Sequence, residues 1–350
     1  MKTRFDGLDA RILALDPFAH DIGRRLTGLE DALRKVARQQ VALRANVDEA
    51  VRRGRPVLNV DGAWAVPVAD GMLFLPEEDT TLLLIYVATV TAGIEAGTRE
   101  VFQALLRPGM RGVDAGANVG AMTLAMARAV GPSGRIDAFE PEPRLQPFLA
   151  RMVRHNGIDV RLHQIALAEA AGTARFHVSS IIGHSSLDAL PDGERWEKIE
   201  VATARLDEVL GPDAAIDLLK IDVEGAELRV LDGAATLLAS RDVAVVAEYG
   251  ETHLARAGTS PTRWMDAFRA HGLTGYAIDE AVPAIPDRGR VRPLPSEGGP
   301  GLVAANIVFV RPGGAMEERL RPLLATEGGD PGQGGALPAR PSASGPAEPV

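Results

Sequence analysis

The chain reads as an α/β protein, a doubly wound, mostly parallel, Rossmann-like sheet preceded by an N-terminal extension of helix and β-meander. Three observations predict this. Five apolar segments of strand length, at residues 111–115, 135–140, 160–167, 216–222 and 243–249, are mostly separated by helical patterns, and such alternation builds a parallel sheet with helices on both faces. A turn of small residues, Asp114-Ala115-Gly116-Ala117-Asn118-Val119-Gly120, follows the first of these segments and opens a helix near Ala121, the position at which such sheets hold ligands. Finally, 350 residues with 46% apolar side chains suffice to bury one large core.

The elements follow in order. From residue 19 to 53 apolar residues recur at gaps of four and three, as in Ile22, Leu26, Leu29, Leu33 and Val36, with Gln40 at a seam position. Residues 1–54 therefore form an amphipathic helix with coiled-coil spacing, suited to packing on its own domain or to homodimer formation. Residues 55–97 form a small β-meander, punctuated by Asp61-Gly62 and Asp70-Gly71, and the start of a helix leading into the core. That helix reads from 77 to 106, with Asp79 and Thr80 able to cap it and Pro108-Gly109 to end it. The sheet domain spans 98–311. Within it, 173–178 and 198–204 read as extra strands around a polar loop at 179–197, a natural place for substrate recognition. Residues 262–271 read as a helix and 302–310 as a last strand. The tail, 312–350, is rich in Gly, Pro, Ala and Ser apart from a short stretch near Met316 to Leu324, and is expected to be mostly disordered.

Composition excludes several classes of function. With 38 basic and 47 acidic residues the net charge is −9, which argues against a nucleic-acid partner. No apolar run approaches the roughly 20 residues of a membrane span, and no signal peptide opens the chain, so a cytoplasmic location is expected. The chain has no cysteine, which removes thiolate nucleophiles and cysteine-ligated metals.

The turn after the first strand lacks the Gly-x-Gly-x-x-Gly spacing that seats a pyrophosphate, and it begins with a carboxylate, Asp114. A carboxylate repels phosphate and suits the ammonium and sulfonium of S-adenosylmethionine. Glu140, at the end of the second strand and before Pro141, is spaced to accept hydrogen bonds from two ribose hydroxyls. The expected cofactor residues are Asp114, Gly116, Asn118, Gly120, Glu140 and Pro141. A nicotinamide oxidoreductase and a noncatalytic scaffold on the same sheet are the competing readings.

At this point the chain resembles the FkbM family of S-adenosylmethionine-dependent methyltransferases. Arg107-Pro108-Gly109 leads into the Asp114–Gly120 turn, and Phe139-Glu140-Pro141, Gly183-His184-Ser185-Ser186-Leu187, Arg205-Leu206-Asp207-Glu208 and the segment from Leu219 to Glu227 follow in the family's order. The resemblance implies O-methylation of a hydroxyl on a sugar, glycan or polyketide-derived small molecule.

A hydroxyl is a poor nucleophile at neutral pH, so a base or a metal must assist its deprotonation. Asp222 ends the fourth strand beside the cofactor turn and is the leading base. Glu224, His184 and Lys220 complete the catalytic candidates, with Lys220 also able to neutralise Asp222. Asp222, Glu224 and Glu248 are candidate oxygen ligands for Mg²⁺. The family often carries a histidine soon after this glutamate; here Tyr249-Gly250 follows and His253 comes later. Glu227, in the first helical turn, and His163 and His177, on strands, read as structural.

Overall fold

The computed structural model describes residues 57–79, 83, 86, 95–179, 185–187, 196–211, 214–280 and 289–324. The predicted N-terminal helix, His184, most of the polar loop and most of the tail lie outside these residues.

The chain first forms β1 (Leu58–Val60), β2 (Ala63–Val68) and β3 (Gly71–Pro76), an antiparallel meander in the order β1-β2-β3. It does not stand apart. Leu73, Phe74 and Leu75 share a core with Leu145, Leu149 and Met152, and Asn156 bonds both the N–H and the C=O of Met72 at 2.9 and 2.7 Å. Next comes α1 (Ala96–Leu105). The helix read as continuous from 77 to 106 is divided at Glu95, whose φ is +46°. The cause is a distant side chain, Glu280, whose carboxylate accepts the N–H groups of Gly97 and Thr98 at 2.7 and 3.2 Å and so starts α1 there.

Among the described residues the main sheet has eight strands, and the first of them in the chain is β4 (Arg111–Ala115). The chain runs outward through α2 (Ala121–Val130), β5 (Arg135–Phe139), α3 (Gln146–Asn156) and β6 (Val160–His163). It then returns to the other side of β4 with β10 (Leu218–Ile221) and β11 (Ala244–Gly250), so the direction of winding switches between β4 and β10. These strands are parallel. Strands buried on both faces need continuous apolar runs, and β10 and β11 supply them. Asp114 and Lys220 interrupt that apolar pattern, opposite each other in register.

On one face α1 and α2 pack through Phe102, Leu105 and Met126. The other face is covered by α5 (Glu227–Gly233), α6 (Ala235–Ser240) and α8 (Pro261–Ala270), with Trp264 and Phe268 fully buried. Two strands that the sequence did not reveal, β12 (Thr274–Ile278) and β13 (Val291–Pro293), extend the sheet. The last strand, β14 (Ala304–Val310), is antiparallel and wedged between β11 and β12. After it, α9 (Ala315–Leu320) packs Met316 and Leu320 into the α1 side of the core, within the short stretch that the composition of the tail sets apart.

The segment read as one strand from 160 to 167 is two. β6 belongs to the main sheet, whereas β7 (Ala166–Leu167) pairs with β9 (Trp196–Ala204) and, through it, with β8 (Gly172–Ser179) in a separate three-stranded sheet. That sheet hangs over the carboxyl ends of β4 and β5.

Candidate active site

Beyond β4 the backbone passes through Gly116 at φ +83° and Asn118 at φ +52°. A Cβ on Gly116 would lie 1.8 Å from the carbonyl oxygen of Asp222, so only glycine lets the turns after β4 and β10 touch. The N–H groups of Gly116 and Ala117 both donate to the Phe139 carbonyl, at 2.9 and 3.0 Å. These contacts shape a cleft at the ends of β4, β5 and β10, the switch point at which doubly wound sheets hold ligands. Part of its wall is apolar, with Phe139, Leu145, Leu167, Phe176 and Leu187. The rest carries Asn118, Glu140, Glu142, Ser185, Asp222 and Glu224, together with Gly116 and Pro141.

Two expected cofactor residues stand off that wall. Asp114 is fully buried beneath it, accepting the Thr123 hydroxyl at 2.5 Å and facing Lys220 at 3.8 Å. Burial pushes its carboxyl up, against the pull of Lys220 and Thr123. Gly120 begins α2 and packs on Leu149 and Met152.

Glu140 spans the wall. Its two oxygens accept the N–H groups of Asn118 and Glu142, at 2.9 and 2.8 Å. Burial pushes the carboxyl up to about 7 in spite of these two donors. Glu142 is fixed by Arg144 at 2.5 Å and by the Ser185 hydroxyl at 2.8 Å. Ser186 donates to the Glu224 carbonyl at 2.9 Å and bridges to the backbone of His177. Residues 185–187, the described part of the polar loop, thereby form the outer rim of the cleft. The side-chain oxygen of Asn118 is buried and accepts no hydrogen bond, an acceptor left for a ligand.

Behind Asp222 stands Lys220, 3% exposed, whose Nζ donates to Asp222 at 2.9 Å. Burial disfavours its charge, yet Asp222, Asp114 and Glu95 together hold its pKa above the ordinary value. In turn Asp222 is kept below the usual carboxylate range, against its burial, mainly by the Lys220 charge. A hydrogen bond joins Asp222 to Glu248, which the Asp222 charge, burial and Glu224 push well up. Of the two carboxyls, Asp222 is thus the more readily ionised and Glu248 the less.

Two residues at this edge escaped the sequence reading. His253 comes back from the first turn of α7 (Glu251–Arg256), with Nε2 3.2 Å from Glu224 and Nδ1 3.8 Å from Glu248. Its spacing of three from Arg256, which reaches Glu224 at 3.9 Å, was the available signal. Glu95, the residue at φ +46°, accepts from Asn306 at 3.3 Å. Burial pushes its carboxyl up to about 7. Nothing in the sequence around Glu95 marked it. Glu227 is buried and accepts the Gly225 N–H at 2.9 Å, a loop-holding role.

The acids named as Mg²⁺ ligands do not gather as expected. Among the described residues, Glu224, Glu248 and His253 bring ligand atoms within 4.8 Å, whereas Asp222 is turned to Lys220. Lys220, Arg256 and His253 already surround these carboxylates with positive or proton-bearing nitrogen, a donor set that does not suit a cation preferring six oxygens.

Residues 114–273 match the family model described as the methyltransferase FkbM domain. That stretch resembles an FkbM methyltransferase domain. Methyltransferase sdnD of Sordaria araneosa is 35% identical over 153 residues, covering 35% of this chain and 59% of that protein. The 31-O-demethyl-FK506 methyltransferase FkbM of Streptomyces tacrolimicus is 35% identical over 163 residues, covering 37% of this chain and 60% of its own. The chain thus spans about three fifths of the length of the relatives it matches. The solved methyltransferase FkbM of Methylobacillus flagellatus KT is 15% identical over 65% of this chain and 52% of its own, with a TM-score of 0.36. Every polar residue of the cleft wall lies inside the matched stretch, whereas Glu95 and Asn306 flank it. No helix among the described residues is long and apolar enough to cross a membrane.

Proposed function

We propose that the protein transfers the methyl group of S-adenosylmethionine to a hydroxyl of a sugar, glycan or natural product. The observation that carries this reading is a cleft whose wall presents both Asp222 and Glu140, the two acids ending strands on either side of β4. Asn118 Oδ1 suits the ammonium of the methionine part, Glu140 the ribose hydroxyls, and the wall of Phe139, Leu167 and Phe176 the adenine. When bound, S-adenosylmethionine supplies a methyl group made electrophilic by its sulfonium. The chain's own residues do the rest. The cleft orients donor and acceptor, Lys220 keeps Asp222 charged, and Asp222 takes the proton of the acceptor hydroxyl. The name of the Streptomyces relative specifies an O-demethylated substrate, which supports oxygen as the acceptor atom.

The test is calorimetric titration with S-adenosylmethionine and its demethylated product. The wild type binds both saturably, with or without Mg²⁺. Asn118→Ala weakens binding about tenfold, the size of one lost hydrogen bond to a charged group. Asp222→Asn still binds the donor but no longer methylates any member of a panel of hydroxylated sugars and macrolides on which the wild type is active. Absence of binding by folded wild-type protein overturns the reading.

A further inference from the structure

Two serines at the rim of the cleft hold its banks together. Residues 185–187 run beside the end of β8, where Ser186 and His177 exchange both of their backbone hydrogen bonds, at 2.8 and 3.0 Å. Consecutive side chains on an extended stretch point to opposite sides, and here each finds a different bank. The Ser185 hydroxyl donates to the Glu142 carboxylate at 2.8 Å, in the turn after β5. The Ser186 hydroxyl donates to the Glu224 carbonyl at 2.9 Å, in the turn after β10. Since β5 and β10 flank β4, the stretch crosses about 10 Å of sheet edge, two strand spacings. Glu142 and Glu224 each follow by two residues the acids Glu140 and Asp222, and Ser185 and Leu187 line the same cleft. A ligand that touches both acids therefore lies beneath the crossing.

The two ends of the crossing are not alike. Ser186 is fully buried and bonded through its N–H, its C=O and its hydroxyl, so freeing it orphans the Glu224 carbonyl and the His177 backbone as well. Ser185 is joined through its hydroxyl, which also accepts the Ser179 N–H at 3.1 Å. Glu142 is 1% exposed, yet when Ser185 lets go its carboxylate keeps Arg144 at 2.5 Å, and Arg144 stays tied to the Ser179 carbonyl at 3.1 Å. A buried charge that retains its cation costs far less than one left alone. The Ser185 end is the one that opens.

We infer that Ser185 and Glu142 form a latch over the methyl-donor cleft, anchored at Ser186, and that the donor enters and its demethylated product leaves only while the Ser185–Glu142 hydrogen bond is broken. This rests on the donor reading above. Closed, the crossing keeps water from the sulfonium methyl; each turnover then includes an opening.

The test is the rate at which radiolabelled demethylated product binds to and leaves the full-length protein, followed by rapid filtration. A latch is made with the cleft empty or filled and is broken only in transit. Ser185→Ala is therefore expected to speed association and dissociation alike, by about tenfold, the factor that one hydrogen bond to a carboxylate corresponds to, with their ratio nearly unchanged. Ser185→Thr keeps the hydroxyl and retains the wild-type rates. Dissociation that quickens alone makes Ser185 a ligand contact, and unchanged rates make it a bystander; either overturns the latch. A second variant does not depend on the first. The chain has no cysteine, so in Ser185→Cys with Glu142→Cys the two introduced thiols are bridged selectively by dibromobimane. Bridging after loading is expected to hold the product through a chase, and bridging beforehand to keep it out; free exchange in the bridged protein overturns the proposal. A folded wild type that binds neither donor nor product refutes the donor reading and the latch with it, whereas binding at rates indifferent to these changes refutes the latch alone.

Discussion

Replacing Glu140 by glutamine keeps the side chain's shape and removes its ability to ionise. Both wild-type oxygens are occupied, by the N–H of Asn118 at 2.9 Å and of Glu142 at 2.8 Å. A carboxamide offers one accepting oxygen, so one of these N–H groups is orphaned, at about 1–3 kcal/mol. Against this stands the cost of ionising a buried acid. Burial holds the Glu140 carboxyl up to about 7, compared with 4.5 for an ordinary glutamate. The folded state therefore binds the proton more tightly than the unfolded chain. Its contribution to stability is full below pH 4.5 and is lost as pH rises through 7, a loss of about 3 kcal/mol. Glutamine has no such decline. In urea unfolding without ligand, Glu140→Gln is expected to be the less stable protein at pH 5, with the deficit closing or reversing by pH 8. A deficit that is constant, or that grows toward pH 8, refutes the assignment of a raised, buried acid. With S-adenosylmethionine present, ribose hydroxyls donating to the carboxylate favour its ionised form. The wild type accordingly binds more tightly at pH 8 than at pH 6 and releases a proton, while the variant binds weakly and without pH dependence.

Two further outcomes follow from the same geometry. Lys220→Met leaves Asp114 and Asp222 without their cation and is expected to cost about 3–5 kcal/mol in urea unfolding at pH 7, with part of the loss recovered in acid as the carboxyls protonate. Gly116→Ala forces a Cβ to within 1.8 Å of the Asp222 carbonyl at a φ of +83°, so it should abolish donor binding in calorimetry even where circular dichroism shows the fold retained.

The parts legible in the sequence are those whose physics is local. Mostly apolar runs marked β10 and β11, and the acids at strand ends stood out because a buried strand has little other reason to carry them. Lys220 was readable as the partner of Asp222 because a lysine in such a strand needs an anion. What escaped depends on contacts distant in sequence. The break at Glu95 is imposed by Glu280, about 185 residues away. β7 leaves the main sheet to pair with β9, some 35 residues on, and no periodicity in a two-residue strand announces that. β12 contains Gly275, which lies against the Phe309 ring, and it reads as loop until its neighbours are known. His253 looked misplaced for a base because spacing along the chain hides the return of α7 over Gly250. The matched stretch ends at residue 273, yet Asn306, in register with Glu248 across β14, stands at the same edge.

The position of β14 has a consequence for biogenesis. The last strand among the described residues, β14, is an interior strand, flanked by β11 on one side and β12 on the other. Until residues 304–310 emerge, β11 presents an open row of backbone donors and acceptors, a template for pairing with another nascent chain, and β12 has no route into the sheet. The sheet therefore stays incomplete until residues 304–310 are made, and a chain stalled before Ala304 is a client for chaperones rather than a smaller folded protein.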